Sequence, residues 1–276
     1  MRTFRFAALS AATAGILLAA TACGADGGDD AAGLPDGPLV VAASPVPHAA
    51  ILNFVKDNLA EEAGLELEVR EFSDYVLPNT ATEDGSVGAN YFQHQPYLDD
   101  FQAEHGTHLV AVEPVHLEPL GLYSEKIDSL DALADGATVG IPNDATNGGR
   151  ALNLLADNGL ITLKDGAGIT ATEADIAENP KNLVFEPLEA AQIPRSLPDL
   201  DAAVINGNYA IEADLSPAED AIVIEEAEGN PYANLLVVKE GNEDDPRVQT
   251  LAELLKSDEV KQFIEETYQG SVVAVD

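Results

Sequence analysis

Residues 39–72 read LVVAASPVPHAAILNFVKDNLAEEAGLELEVREF. LVVAA (39–43) is a short apolar run of the kind found in buried strands, and LELEVREF (65–72) alternates apolar and polar residues as a strand with one wet face does. Between them, HAAILNFVKDNLAEEAG (48–64) spaces its apolar residues three and four apart, which collects them on one side of a helix. Strand, helix, strand is the unit from which helix-covered parallel sheets are built.

The same rhythm runs on. ATVGIP (137–142), AAVIN (202–206), AIVIEE (221–226) and ANLLVVKE (233–240) read as strands, and RALNLLADNG (150–159) reads as a helix. Two helical windows follow, PRVQTLAELLKS (246–257) and DEVKQFIEETYQG (258–270). The expected class is α/β, with mainly parallel sheets flanked by helices and no internal repeat. In VEPVHLEPLGLYS (112–124), Pro114 and Pro119 interrupt an extended stretch, and proline is poorly tolerated in a central strand. This segment is either a crossover between two lobes or a loop with an edge strand.

The N-terminus carries Arg2 and Arg5, an apolar run from Phe6 to Ala20, and small residues up to Cys23. This three-part plan is that of an export signal over residues 1–22, and no later stretch is long and apolar enough to span a bilayer. Cys23, the sole cysteine, follows Ala20-Thr21-Ala22 and resembles a bacterial lipobox, which implies a lipid-modified, palmitate-bearing N-terminus; the plainer alternative is a stray thiol. GADGGDDAAGLPDGP (24–38) lacks periodicity and reads as a flexible tether from the lipidated Cys23 to the folded body.

The chain holds 13 Lys and Arg against 49 Asp and Glu, a formal net charge of −36. Such a surface repels nucleic acid and anionic membrane, so contact with the membrane is expected through the N-terminal lipid only. There is no GxSxG elbow, P-loop or dinucleotide fingerprint, and the one thiol is the anchor, so no enzyme activity is expected. His105 and His108 have a metal-like spacing, but Gly106 between them argues against a shared helical face. No metal and no cofactor is expected.

Four segments suit a small ligand. ANYFQHQPYL (89–98) gathers Tyr91, Phe92, His94 and Tyr97 in a chain with only seven Tyr, eight Phe and no Trp. In IPNDATNGGRALNLLADNGL (141–160) a helix is expected to start near Gly148, with Arg150 in its first turn. A cation there is locally unfavourable unless it faces a carboxylate, either a ligand's or a surface acid's. DLDAAVINGNYAIEA (199–213) sets Asn206 and Asn208 at a strand's C-terminal end, where open α/β sheets bind ligands, although Asn-Gly is also ordinary turn chemistry. NPYANLLVV (230–238) adds Asn234 beside Tyr232.

Together, ANYFQHQPYL, VHLEPLGLYS, IPNDATNGGRALNLL, AAVINGNYAIEA and PYANLLVV resemble the successive signatures of the NlpA/MetQ lipoprotein family, the methionine-binding components of ABC importers. The resemblance covers residues 39–276. It implies a two-lobed periplasmic-binding-protein fold of type II, with 39–118 plus 232–276 as lobe 1, 119–231 as lobe 2, and the ligand in the cleft. It further implies a monomer whose partners are methionine, with the preference between L and D forms left open, and ABC permease subunits. The family's contact positions fall on Tyr75, Phe92, His94 and Tyr97 for the ligand side chain, and on Asn147, Arg150, Asn208 and Asn234 for the head group. Arg150 and the backbone N–H groups of residues 147–150 are expected to hold the carboxylate. The rival readings are another amino acid or short peptide as ligand, and an enzyme on the same bilobal scaffold.

Overall fold

The computed structural model describes residues 33–275, so the export signal, Cys23 and most of the expected tether lie outside the described residues. The chain starts with β1 (Leu39–Ala43), α1 (Ala50–Asn58), β2 (Leu67–Glu71), α2 (Leu77–Glu83), β3 (Ala89–His94), α3 (Gln95–His105) and β4 (Leu109–Leu117). It then passes into β5 (Gly121–Tyr123), β6 (Thr138–Pro142), α4 (Ala145–Asp157) and a small hairpin of β7 (Thr162–Leu163) and β8 (Ile176–Glu178). β9 (Val184–Leu188), α5 (Ile193–Ser196), β10 (Ala202–Ile205), α6 (Gly207–Glu212), α7 (Pro217–Asp220) and β11 (Val223–Ile224) follow. The last elements are β12 (Ala233–Lys239), α8 (Pro246–Leu255), α9 (Asp258–Tyr268) and β13 (Val273–Ala274).

These strands form two large sheets, in the orders β13-β4-β12-β3-β1-β2 and β11-β5-β10-β6-β9. Each has its own core, which makes the fold two-lobed. α1 buries Ile51, Leu52 and Val55 with Val41, Tyr91 and Leu236 of the first sheet. α4 buries Leu152 and Leu155 with Leu122, Val139 and Val204 of the second. The helix expected over 48–64 is shorter, because the chain turns after Asn58 and ends that turn at Gly64, whose φ of 68° suits glycine.

The sheets are mixed rather than mainly parallel. β1 runs parallel to β2 and β3, and β6 runs parallel to β9 and β10. β12 runs antiparallel to β3 and β4, and β5 runs antiparallel to β10 and β11. A parallel neighbour requires a covering helix to carry the chain back. β5 and β12 instead enter their sheets directly from the other one and take the opposite direction. Residues 112–124 are thus a crossover, with β4 in the first sheet and β5 in the second. Pro114 sits inside β4, where the register with β12 is irregular and a missing N–H is tolerated.

The end of the expected tether is held to the body. Arg247 of α8 donates from Nη1 to the carbonyls of Pro35 and Gly37, at 2.8 and 3.0 Å, and Leu34 packs against the first core. Composition marked this segment as flexible, and one distant guanidinium with three carbonyls in reach overrides it. No helix among the described residues is long and apolar enough to cross a membrane.

Gly149 lets α4 meet the turn at residues 169–171. A Cβ there would stand 2.3 Å from the Ile169 carbonyl oxygen. Gly to Ala inside a helix normally stabilises by about 1 kcal/mol. Gly149→Ala should instead destabilise, by about 1–3 kcal/mol for overpacking against backbone, measured as a lower urea midpoint.

Candidate functional site

Between the sheets, beside both crossovers, lies a small cavity. The structure brings Tyr75, Phe92, His94, Tyr97, Asn147, Arg150, Asn208 and Asn234 together on its walls. Gln93, Glu118, Asn206 and Gly207 complete the lining.

One wall is aromatic. β3 is buried along its whole length and delivers Phe92 inward, while α3, starting at Gln95, turns Tyr97 back towards it. Phe92 and Tyr97 meet edge to face at 6.1 Å, and the Tyr75 ring lies 5.8 Å from Phe92 and 5.7 Å from Tyr97. His94 caps α3: its Nδ1 accepts the Tyr97 backbone N–H at 3.1 Å, so Nε2 carries the ring hydrogen and donates to Asn147 Oδ1 at 3.2 Å. Burial, assisted by the nearby Arg150 charge, lowers the His94 pKa to about 3. Its ring is neutral, in one tautomer, with both nitrogens engaged.

The polar wall has its polarity set from behind. Asp144 caps α4, and its Oδ1 accepts the Asn147 backbone N–H at 2.8 Å and Asn147 Nδ2 at 2.9 Å. That turns Asn147 Oδ1 towards His94 and towards Asn206 Nδ2, which donates at 2.9 Å. Asn206 Oδ1 is left buried without a hydrogen-bond partner among the described residues. In the same way Tyr75 O–H donates to Asn208 Oδ1 at 2.6 Å, leaving Asn208 Nδ2 buried and unpartnered. His48 Nε2 donates to Asn234 Oδ1 at 3.1 Å, so the Asn234 amide keeps its donors for the cavity. A buried polar group without a partner is costly. A lone acceptor and a lone donor on one cavity suit a ligand that brings both.

α4 starts at Ala145, not near Gly148, and this corrects the expected anion site. The Asp144 side chain takes the N–H of Asn147, and the Asp144 carbonyl takes that of Gly148 at 2.8 Å. Those amides are spent on capping, and Arg150 stands in the second turn rather than the first. Asp144 competes better for the helix start than the Asn-Gly-Gly that follows it.

Arg150 has a protein partner that the sequence did not reveal. Nε donates to Glu225 Oε1 at 2.7 Å, and Nη2 donates to Glu225 Oε2 at 2.5 Å and to the Glu118 carbonyl at 2.9 Å. Its guanidinium lies 4.2 Å from the centroid of the Tyr232 ring. Glu225 Oε2 also accepts the Leu120 N–H at 2.9 Å, so this ion pair ties the two crossovers together. Nη1 is the guanidinium edge left for a ligand. Among 49 acidic residues nothing in the sequence distinguished Glu225.

His48 and His116 flank the buried Glu118, with each Nε2 on Oε1, at 3.1 and 2.9 Å. The three donor atoms lie within 4.8 Å of one another, a spacing metals also use. Only His116 hydrogen-bonds the carboxylate, since the His48 Nε2–H serves Asn234: the Tyr91 hydroxyl bonds His116 Nδ1, which leaves the ring hydrogen on Nε2 facing Glu118. Burial lowers the pKa of His48 to about 4 and of His116 to about 3, and pushes the Glu118 carboxyl up. His105 and His108 are separated by the left-handed Gly106 that ends α3, and they rest beside Glu104 and Glu83 respectively.

The depressed histidines predict the direction of a pH effect. With a folded-state pKa of about 3 against 6.5, His94 stays neutral in the fold while the unfolded chain takes up a proton. Above pH 7 it adds no slope; as the pH falls below 6.5 towards 3, stability is lost at up to about 1.4 kcal/mol per pH unit. His48 and His116 act in the same sense, and the raised carboxyls of Glu118 and Asp144 act against it. Urea unfolding between pH 6 and pH 4 should show a shallower loss in His94→Gln than in wild type.

Comparisons agree with this architecture. The family model described as NlpA lipoprotein matches residues 39–275. The D-methionine-binding lipoprotein MetQ of Escherichia coli K12 is 47% identical over 77% of this chain and 79% of its own length. The methionine-binding lipoprotein MetQ of Bacillus subtilis is 40% identical over 100% of this chain and 99% of its own. A nutrient-binding protein from Burkholderia cenocepacia, solved bound to methionine, superposes with a TM-score of 0.84 at 45% identity, covering 86% of this chain and 100% of that one. With its two sheets, its crossovers and a match along the whole body, the chain belongs to the NlpA lipoprotein family.

Proposed function

We propose that this protein captures methionine in the cavity between its lobes and delivers it to an ABC importer, acting by binding and release without covalent chemistry. The observation that carries the reading is the pairing of an aromatic wall with a polar wall that exposes donors and an acceptor of fixed polarity. Arg150 Nη1, Asn208 Nδ2 and the Asn234 amide would hold the carboxylate. Phe92, Tyr97 and Tyr75 would surround the thioether, whose sulfur gains roughly 0.3–1.5 kcal/mol per ring contact. Asn147 and His94 serve mainly to aim their neighbours, since their hydrogen-bonding atoms are largely engaged.

In this reading lobe 1 comprises 39–118 and 232–276, and lobe 2 comprises 119–231. Tyr75 to Asn208, His94 to Asn147, and Tyr209 O–H to the Ser73 carbonyl at 3.3 Å are hydrogen bonds between lobes. A ligand touching both walls would favour the closed form through its differential affinity for it. The word lipoprotein in the relatives' names supports anchoring through a lipid on Cys23; in this reading the protein stands outside the cytoplasm as a monomer and docks on the permease when loaded.

Mass spectrometry of the purified protein under native conditions should find methionine retained, and titration calorimetry with the L and D forms should give their order of affinity. Retention of a different amino acid, or turnover of the bound ligand, would overturn the reading. Arg150→Ala should weaken methionine binding by about 2–5 kcal/mol, the loss expected for one member of a desolvated charged pair. Phe92→Ala should lose affinity for methionine but little for alanine, whose side chain does not reach the ring; equal losses would remove Phe92 from the side-chain pocket.

A further inference from the structure

We propose that the Tyr75 ring is a gate that sets how long a ligand's side chain can be, by separating the cavity from an outer pocket between the lobes. This role rests on the proposed methionine ligand and concerns the far end of its side chain rather than its head group.

The outer pocket lies on the other side of the aromatic wall. Among the described residues, Tyr75 and Tyr97 are the two that line both spaces. The further walls of the outer pocket include Asp74, Asp144, Glu189 and Ala191, and it opens to water where Asn143 and Glu189 are exposed. Three carboxylates and no basic side chain face it, so a tail that enters must be uncharged or cationic.

The two halves of this partition are held differently. Tyr97 is fixed on α3: its N–H is taken by the His94 ring, its own ring stacks on Phe101 at 6.1 Å, and its hydroxyl donates to the Tyr75 carbonyl at 3.2 Å. Tyr75 lies on the segment between β2 and α2, outside any helix or strand, and is half-buried. Its side chain is held from the other lobe. The hydroxyl donates to Asn208 Oδ1 at 2.6 Å, and the ring lies 5.0 Å from that of Tyr209. Both contacts leave with the second lobe, so the partition is complete only while the lobes are together. A methyl thioether would end against the two rings. A longer chain would have to push the Tyr75 ring away from Asn208 and Tyr209, and its binding would thereby work against closure.

The test compares L-methionine with S-butyl-L-homocysteine, three methylenes longer, by titration calorimetry. Wild type should bind methionine at least about 100-fold more tightly, since one extra methylene in a closed apolar pocket already counts for about tenfold or more. Tyr75→Ala joins the two spaces and should bring that ratio below about tenfold, with the butyl compound bound more tightly than by wild type; Tyr75→Leu serves if Tyr75→Ala does not fold. Adding Ala191→Phe, which fills the outer pocket, should restore the exclusion, while Ala191→Phe alone should bind methionine as wild type does. Tyr75→Phe keeps the ring and loses the bond to Asn208, so it should weaken both ligands by about tenfold and retain most of the ratio. A ratio that falls as far in Tyr75→Phe as in Tyr75→Ala would assign the exclusion to the hydrogen bond and overturn the gate. So would a ratio unchanged in Tyr75→Ala, relief that persists when Ala191→Phe is added, or a wild type that binds both ligands alike; each of these leaves the proposed function standing. A wild type that ignores methionine overturns both.

Discussion

A backbone N–H can only donate, and the Asn147 N–H donates to the Asp144 side chain at the start of α4. From that one constraint the polarity of the cavity follows. Asp144 Oδ1 is an acceptor, so Asn147 presents its amide nitrogen there and its oxygen to the other side. Asn206 must then use its nitrogen on Asn147, and its oxygen is what the cavity receives. A helix cap, ordinarily worth about 1 kcal/mol of stability, here also decides which face of a neighbouring amide a ligand meets. His94 reads the same oxygen from the first lobe, so the cap also takes part in bringing the lobes together.

The second organising contact is the Arg150–Glu225 pair. Its members stand 75 residues apart in sequence, and it gathers the Glu118 carbonyl, the Leu120 N–H and the Tyr232 ring around one guanidinium. A buried ion pair contributes little net stability when set against its desolvation. What it supplies here is geometry, since the fork of Arg150 fixes two crossover strands at once and leaves one edge free. A ligand held at that edge, as proposed, would thereby be joined to the segments about which the lobes would move.

Much of the fold was legible in the sequence, and the misses have physical causes. Strands β1, β6, β10 and β12 and helices α8 and α9 follow directly from apolar spacing, which is local. Strand direction is not local: β12 runs antiparallel because it arrives from the other sheet, and nothing within ANLLVVKE encodes its origin. The start of α4 was misplaced because Asp144 looked like part of a polar turn, although a side-chain cap three residues before Asn147 is a readable signal. Residues 34–37 looked unstructured because their partner, Arg247, lies more than 200 positions away.

The candidate site divides along the same line. Motif order, through the family resemblance, was enough to single out eight of the twelve positions that line the cavity, because motifs are short-range patterns that survive in one dimension. Which atoms of those residues are free could not be read there. That Asn147 is spent on its neighbours, that Arg150 is already paired, and that Glu118 is the one acid lining the cavity among the described residues are outcomes of contacts between segments about 59 to 75 residues apart. Hydrogen-bond capacity is consumed by whatever the fold brings within about 3 Å, and the chain's order along its length does not contain that information. The sequence by itself thus determined the class of fold, the family and eight of the twelve residues that line the cavity; the tertiary structure added the others and decided their polarity, their pairing and the work left for each to do.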